Sequence, residues 1–139
     1  MESTNDNARK AVARMLEQDH FSAWLGLQVD EVREGYCRLH YTITRDMLNG
    51  FGQVHGGVLF SASDSAFAFA CNTRGVLTVA LSVSVSFIKA VFEGEVLTVE
   101  ASELYNGRKT GLYQVQTFNR EGMLVAQFQG TGYRTSTEL

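Results

Sequence analysis

The chain has 139 residues, 45% of them hydrophobic and 19% charged, with 12 Lys and Arg against 15 Asp and Glu for a formal net charge of −3. That length suits one domain with a real core; the composition excludes a disordered chain and offers no basic surface to a nucleic acid. No stretch reaches the roughly 20 consecutive apolar residues that a transmembrane helix needs, so no membrane partner is expected.

The first ten residues, MESTNDNARK, lack the apolar segment of a secretory signal. Cys37 and Cys71 are too few for a disulfide framework and lack metal-ligand spacing. A reducing cytoplasm is the expected home.

Residues 1–7 are expected to be unstructured. From about Ala8 to Asp19, Val12, Met15 and Leu16 form one apolar stripe and predict a short amphipathic helix. Phe21, Trp24 and Leu25 prolong the apolar contact up to Gly26. Two strands follow, Leu27–Val32 and Tyr36–Ile43, joined by Arg33-Glu34-Gly35. Met47 to Gly57 contains four glycines, Asn49 and His55 and reads as a loop.

The run that begins at Val58 is too long for a strand and too short for a membrane span, and it meets no Gly or Pro before Gly75. It predicts a long helix ending near Arg74-Gly75, apolar on all sides and so buried. Val79, Leu81, Val83, Val85 and Phe87 then alternate with small residues, predicting a strand with one buried face. Three further strands are expected: Val96–Leu104, Thr110–Phe118 beyond the Asn106-Gly107 turn, and Leu124–Tyr133. Strands in runs, rather than alternating with helices, indicate an antiparallel α+β fold. The simplest packing curls the sheet of about six strands round the long helix and pairs its edges across a two-fold axis.

Asp64 is the only charged residue in the long helix, and burying an unpaired carboxylate is costly. If Gly56 sits at the start of that helix, it would offer a free N–H and the positive end of the helix dipole to a developing oxyanion; the alternative is a glycine-rich helix entry with no ligand. Asp64 lies eight residues on, about 12 Å along the axis. If both serve one site, Asp64 must come from a neighbouring subunit; the alternative is a buried Asp bound to backbone. Asn49 suits either a turn before Gly50 or the orientation of a water or carbonyl. His55 reads more readily as a structural hydrogen-bonding residue than as a general base. His20 and His40 have no ligand-like neighbours, so no metal is expected. Gly50-Phe51-Gly52 fails as a dinucleotide loop, because the third glycine is misplaced and no βαβ unit follows.

Leu48-Asn49-Gly50, His55-Gly56-Gly57, Phe60-Ser61 and Asp64 before Ala66-Phe67-Ala68 closely resemble the hot-dog-fold acyl-CoA thioesterases of the PaaI (phenylacetate-degradation) type. The resemblance extends to Ser86-Phe87-Ile88-Lys89, Gly94-Glu95 and Lys109-Thr110-Gly111. It implies a hot-dog fold and hydrolysis of aryl-acyl-CoA thioesters such as phenylacetyl-CoA, with no cofactor beyond the coenzyme A of the substrate. It also implies a homotetramer, a dimer of hot-dog dimers with the site shared between subunits.

Carried over by position, the resemblance makes Asp64 the catalytic carboxylate, as nucleophile or as activator of water, and Gly56 the oxyanion donor. Asn49 would position water or thioester, Ser65 would act beside Asp64, and His55 and Gly57 would shape the loop. Ser65 stands where relatives often have Thr, and Lys89-Ala90 where they often have Arg-Pro. Lys89, Arg108 and Lys109 are candidates for the coenzyme A phosphates, Lys89 as a point charge without the guanidinium fork. A solvated hairpin tip accounts equally well for Arg108 and Lys109. Phe60, with Phe67 and Phe69, offers an aromatic pocket or simply core. The rival expectations are a thioesterase for benzoyl- or medium-chain acyl-CoA and a non-catalytic acyl-CoA sensor.

Overall fold

The computed structural model describes residues 3–139. The elements run α1 (Thr4–Leu16), α2 (His20–Trp24), β1 (Gln28–Arg33), β2 (Tyr36–Thr42), a 3-10 turn (Arg45–Met47), α3 (Gly56–Cys71), β3 (Val76–Phe87), β4 (Val96–Asn106), β5 (Thr110–Phe118) and β6 (Leu124–Glu138). All strands belong to one antiparallel sheet in the order β1-β2-β4-β5-β6-β3.

The sheet curves round α3. Leu59, Ala62, Ala66, Phe67, Phe69 and Ala70 of the helix are buried with Leu39, Tyr41, Val99, Val115 and Phe128 of the strands. Phe67 packs its ring on Tyr113 and Phe128 at centroid separations of 5.6 and 5.7 Å. Burial of such a ring contributes about 1.5–3 kcal/mol. Gly130 makes room for it, since a Cβ there would stand 2.9 Å from the Phe67 ring.

At the far end of α3, the Asn72 side chain donates to Ala68 O (2.8 Å) and Thr78 O (3.0 Å) and accepts from Thr78 N (2.8 Å). One side chain thus caps the helix and fixes the start of β3, so the direction of β3 relative to α3 is set locally.

Four expectations need correction. Residues 4–7 are helical: Ser3 caps α1 by accepting from Asp6 N while the Asp6 carboxylate reaches back to the Ser3 N–H. Only residues 1 and 2 of the segment expected to be unstructured lie outside the described residues. The apolar stretch Phe21–Leu25 includes a separate short helix, with Asp19 as its N-cap. The long helix ends at Cys71, three residues early, and it is not buried all round: Ser61, Asp64, Ser65 and Ala68 form a half-buried stripe that the sheet does not cover.

The fourth correction concerns β3. It is the sheet's rim, and Val79, Leu81 and Phe87 are 46%, 63% and 54% exposed. The alternation called for a buried face. Of that face only Val83 and Val85 are partly buried against the core, because α3 packs mainly on the middle strands and an irregularity between Ala80 and Ser82 shifts the register.

Candidate active site

The loop before α3 is a small pinned hairpin. Asn49 N donates to Gln53 O (2.7 Å), Leu48 bridges Val54, Val54 N donates to Val91 O (2.7 Å), and His55 N donates to Met47 O (2.8 Å). The Asn49 side-chain oxygen accepts from Phe51 N (2.8 Å) and Gln53 N (3.2 Å). Its structural role therefore uses only the oxygen; the NH2 group has no partner among the described residues, and Asn49 lines the adjoining cleft. Gly52, at φ +76°, supplies the left-handed turn this hairpin needs.

His55 is the N-cap of α3. Its backbone is extended (φ −68°, ψ 134°), and its Nδ1 accepts from Gly57 N at 2.8 Å. A Cβ on Gly57 would stand 3.0 Å from that nitrogen, so the cap requires glycine there. With the Gly57 N–H taken by His55 and the Val58 N–H donated to His55 O (2.9 Å), the Gly56 N–H is left without a hydrogen-bond partner among the described residues. It opens on a cleft of about 310 Å³ lined by Asn49, Gln53, Leu59, Phe87 and Lys89. The free donor and the positive end of a 16-residue helix point to the same place.

Asp64 is half-buried on the open stripe of α3, and its carboxylate has no hydrogen-bond partner among the described residues. Burial raises its pKa above the ordinary 3.8, which makes it a stronger base than a solvated aspartate. Because α3 is unbroken from Gly56 to Cys71, the two groups are about 12 Å apart along one axis.

Ser65, next along, is hydrogen-bonded across the fold: its Oγ lies 2.8 Å from Oγ of the buried Ser22 in α2. Ser22 Oγ in turn lies 2.7 Å from Asp19 Oδ2.

A matching family description, the thioesterase superfamily, covers residues 51–126. The chain is 38% identical over 120 residues to the acyl-coenzyme A thioesterase PaaI of Escherichia coli K12, covering 86% of each chain. The structure of the E. coli PaaI protein from the phenylacetic acid degradation operon superposes with a TM-score of 0.96 at 34% identity, covering 98% of this chain and 99% of that one. A thioesterase protein from Streptococcus pneumoniae, solved with coenzyme A, superposes with a TM-score of 0.78 at 26% identity over 81% of this chain and 91% of that one. The chain belongs to the thioesterase superfamily. Its fold is the hot-dog fold and it is an enzyme, a thioester hydrolase, as the sequence resemblance implied.

In this thioesterase Asn49, His55, Gly56, Gly57 and Lys89 gather at the N-terminal end of α3. Asp64 and Ser65 stand two turns further along. Phe60 packs edge-on against Phe128 at 5.8 Å and is half-buried, while Phe67 and Phe69 are core. Arg108 and Lys109 lie elsewhere. Their hairpin tip is held by Arg134, which donates to the carbonyls of Gly107 and Arg108 and to Asn106 Oδ1, and Arg134 faces Thr78 near the C-terminal end of α3. From Thr78 to Phe87 is nine residues of strand, roughly 30 Å.

Among the described residues no three His, Cys, Asp or Glu side chains converge as metal ligands, and no helix is long and apolar enough to cross a membrane. The sequence reading missed Asp19 and Ser22. The signal was there, an Asp three residues before a backbone N–H at a helix start, but the apolar residues around it masked a five-residue helix.

Proposed function

We propose that the protein hydrolyses aryl-acyl-CoA thioesters, with phenylacetyl-CoA or its ring-hydroxylated forms as substrates, giving the free acid and coenzyme A in the cytoplasm. The carrying observation is the unpartnered Gly56 N–H at the start of α3, in one cleft with Asn49 and Lys89. The aryl preference is supported by the 38% identity to E. coli PaaI. Lys89 at the cleft rim suits a phosphate of coenzyme A.

The thioester carbonyl oxygen accepts from Gly56 N–H. A water oxygen bonds to the carbonyl carbon as Asp64 takes one of its protons, and the developing oxyanion is held at the helix N-terminus. The C=O bond then re-forms, the C–S bond breaks, and the coenzyme A thiolate recovers the proton from Asp64. Asn49 NH2 orients the carbonyl or the water, and His55 with Gly57 keeps the helix start in shape. The base role, rather than nucleophilic attack, is favoured by the carboxylate's raised pKa and lack of a partner.

Asp64 cannot reach a carbonyl held at Gly56 of its own helix, so the site joins two copies. The bare β3 rim is an exposed, 12-residue strand edge that calls for a partner. Antiparallel pairing of two β3 strands sets α3 of one protomer against α3 of the other, bringing Gly56 of one copy near Asp64 of its neighbour. The same pairing carries Arg108 and Lys109 of the partner subunit to the Lys89 end of the sheet. Two such dimers make the tetramer, with the whole chain acting as one catalytic domain.

The test is release of free thiol from phenylacetyl-, benzoyl-, butyryl- and palmitoyl-CoA by the wild type and by Asp64→Ala. Fast turnover of the aryl substrate, lost by several orders of magnitude in a folded variant, is expected. Preferred turnover of butyryl- or palmitoyl-CoA would overturn the substrate, and binding without thiol release would overturn the site.

A further inference from the structure

The Asp19–Ser22–Ser65 chain has a direction, and the direction has consequences for the site. Asp19 uses one oxygen, Oδ1, to cap α2 at Ser22 N (2.9 Å), and the other, Oδ2, to meet Ser22 Oγ (2.7 Å). A carboxylate only accepts, so the single Ser22 hydroxyl proton is committed to Asp19. Ser22 Oγ can then only accept from Ser65 Oγ, 2.8 Å away. The Ser65 proton is thereby turned towards α2. Ser22 is 1% exposed, so water does not compete for its lone pair. Ser65 itself is half-buried on the open stripe of α3, immediately beside Asp64, and presents only lone pairs there.

We propose that Asp19 and Ser22 are positioning residues, fixing Ser65 as a pure acceptor that takes a hydrogen bond from one O–H of the attacking water while Asp64 removes the other proton. A water held by both its protons has its oxygen lone pair aimed away from them, at the thioester carbon, and this fixed orientation lowers the barrier to attack. The inference rests on Asp64 as the base of the proposed site. It assigns a catalytic consequence to the buried Ser22, 43 residues away in sequence from Ser65, and to the half-buried Asp19 that orients it.

Asp19→Asn separates the polar role from the structural one. Asn serves as an N-cap about as well as Asp, so its oxygen keeps the bond to Ser22 N and α2 is retained. Its NH2 group now faces Ser22 Oγ and donates to it, so Ser22 donates to Ser65 and the Ser65 proton swings out to the site. The expected result is a fall in kcat of roughly ten- to hundredfold, the range for losing one hydrogen bond to a reacting group, with KM for phenylacetyl-CoA unchanged within about twofold. Ser22→Ala loses rate in the same way and Ser22→Thr, which keeps the hydroxyl, restores it.

In a Ser65→Ala background Asp19→Asn should add no further loss, because there is no hydroxyl left to orient. The inference is overturned if Asp19→Asn lowers kcat by the same factor with or without Ser65, which is a packing effect. It is also overturned if Asp19→Asn leaves kcat intact, or moves KM alone, while Asp64→Asn abolishes turnover. Turnover that survives Asp64→Asn sinks the underlying site instead, so the two failures are distinct.

Discussion

Gly56→Pro removes one hydrogen atom of chemical interest and little else. Gly56 is the first residue of α3, where proline is well tolerated because that N–H has no helical acceptor. His55 before it is already extended, at φ −68° and ψ 134°, which is the backbone a following proline requires. The added Cβ would stand 3.2 Å from Phe87 Cζ, the far end of a side chain that is 54% exposed and free to give way. The fold and the His55–Gly57 cap should therefore survive, while the oxyanion loses its donor. Loss of one such donor typically costs about 10²–10³ in kcat, ~2.7–4 kcal/mol.

The proposed sharing of the site between two copies makes a second, quantitative demand on the same variant. In a mixed dimer of Gly56→Pro and Asp64→Asn protomers, one site carries both lesions and the other carries neither. Random reassociation of equal amounts gives half mixed dimers, so about a quarter of all sites are intact. Thiol release from phenylacetyl-CoA, measured before and after the two inactive variants are exchanged through mild denaturant, should rise to about a quarter of the wild-type rate. A folded Gly56→Pro with near wild-type kcat would refute the oxyanion assignment. No recovery on mixing, with mixed dimers demonstrated by mass spectrometry, would refute the shared site.

Since burial raises the pKa of Asp64, the acid limb of kcat should lie above the ordinary aspartate value of 3.8. A raised folded pKa destabilises the fold while Asp64 is ionised, and that penalty fades as pH falls through the folded pKa towards 3.8. Asp64→Asn should accordingly melt higher than wild type at pH 7, with the difference vanishing near pH 4; an Asn variant that melts lower at pH 7 contradicts the reading. Burial pushes the thiols of Cys37 and Cys71 up to about 12, so at pH 8 only about one thiol in ten thousand is ionised and neither should react with disulfide reagents in the native state. Rapid labelling of the folded protein would show that one of them is reachable. Leu81→Glu, at a position 63% exposed on the β3 rim, should leave the protomer folded but place like charges across the edge proposed to pair, shifting light scattering to the monomer and abolishing turnover. An unchanged oligomer would move the interface elsewhere.

Much of the fold was legible in the sequence because its signals are local. Alternating residues with turns at Asn106-Gly107 and Asn119–Gly122 marked the β4–β5 and β5–β6 hairpins, and the long run from Val58 marked α3 by length. The glycine-flanked Asn49 and His55, and the lone carboxylate of Asp64, were singled out from residue type alone. The unstructured start was misjudged because Ser3 and Asp6 form a capping box that stabilises the helix without any apolar periodicity. The burial of β3 differs because the alternation carries no sign of the irregularity between Ala80 and Ser82, which splits the alternating face.

Sequence by itself determined the class of fold, the long helix from about Val58 and the chemistry of the side chains on it. These follow from hydrophobic period, turn residues and charge, all properties of neighbours along the chain. Only the tertiary structure decided that β2 pairs with β4 and β6 with β3, leaving β3 as a bare rim. Only it showed that the His55 ring consumes the Gly57 N–H and leaves that of Gly56 free. The Asp19–Ser22–Ser65 chain belongs to the same group, for its two halves are far apart in sequence. Pairings of that kind are set by how the whole sheet closes over the core, and no local pattern encodes them.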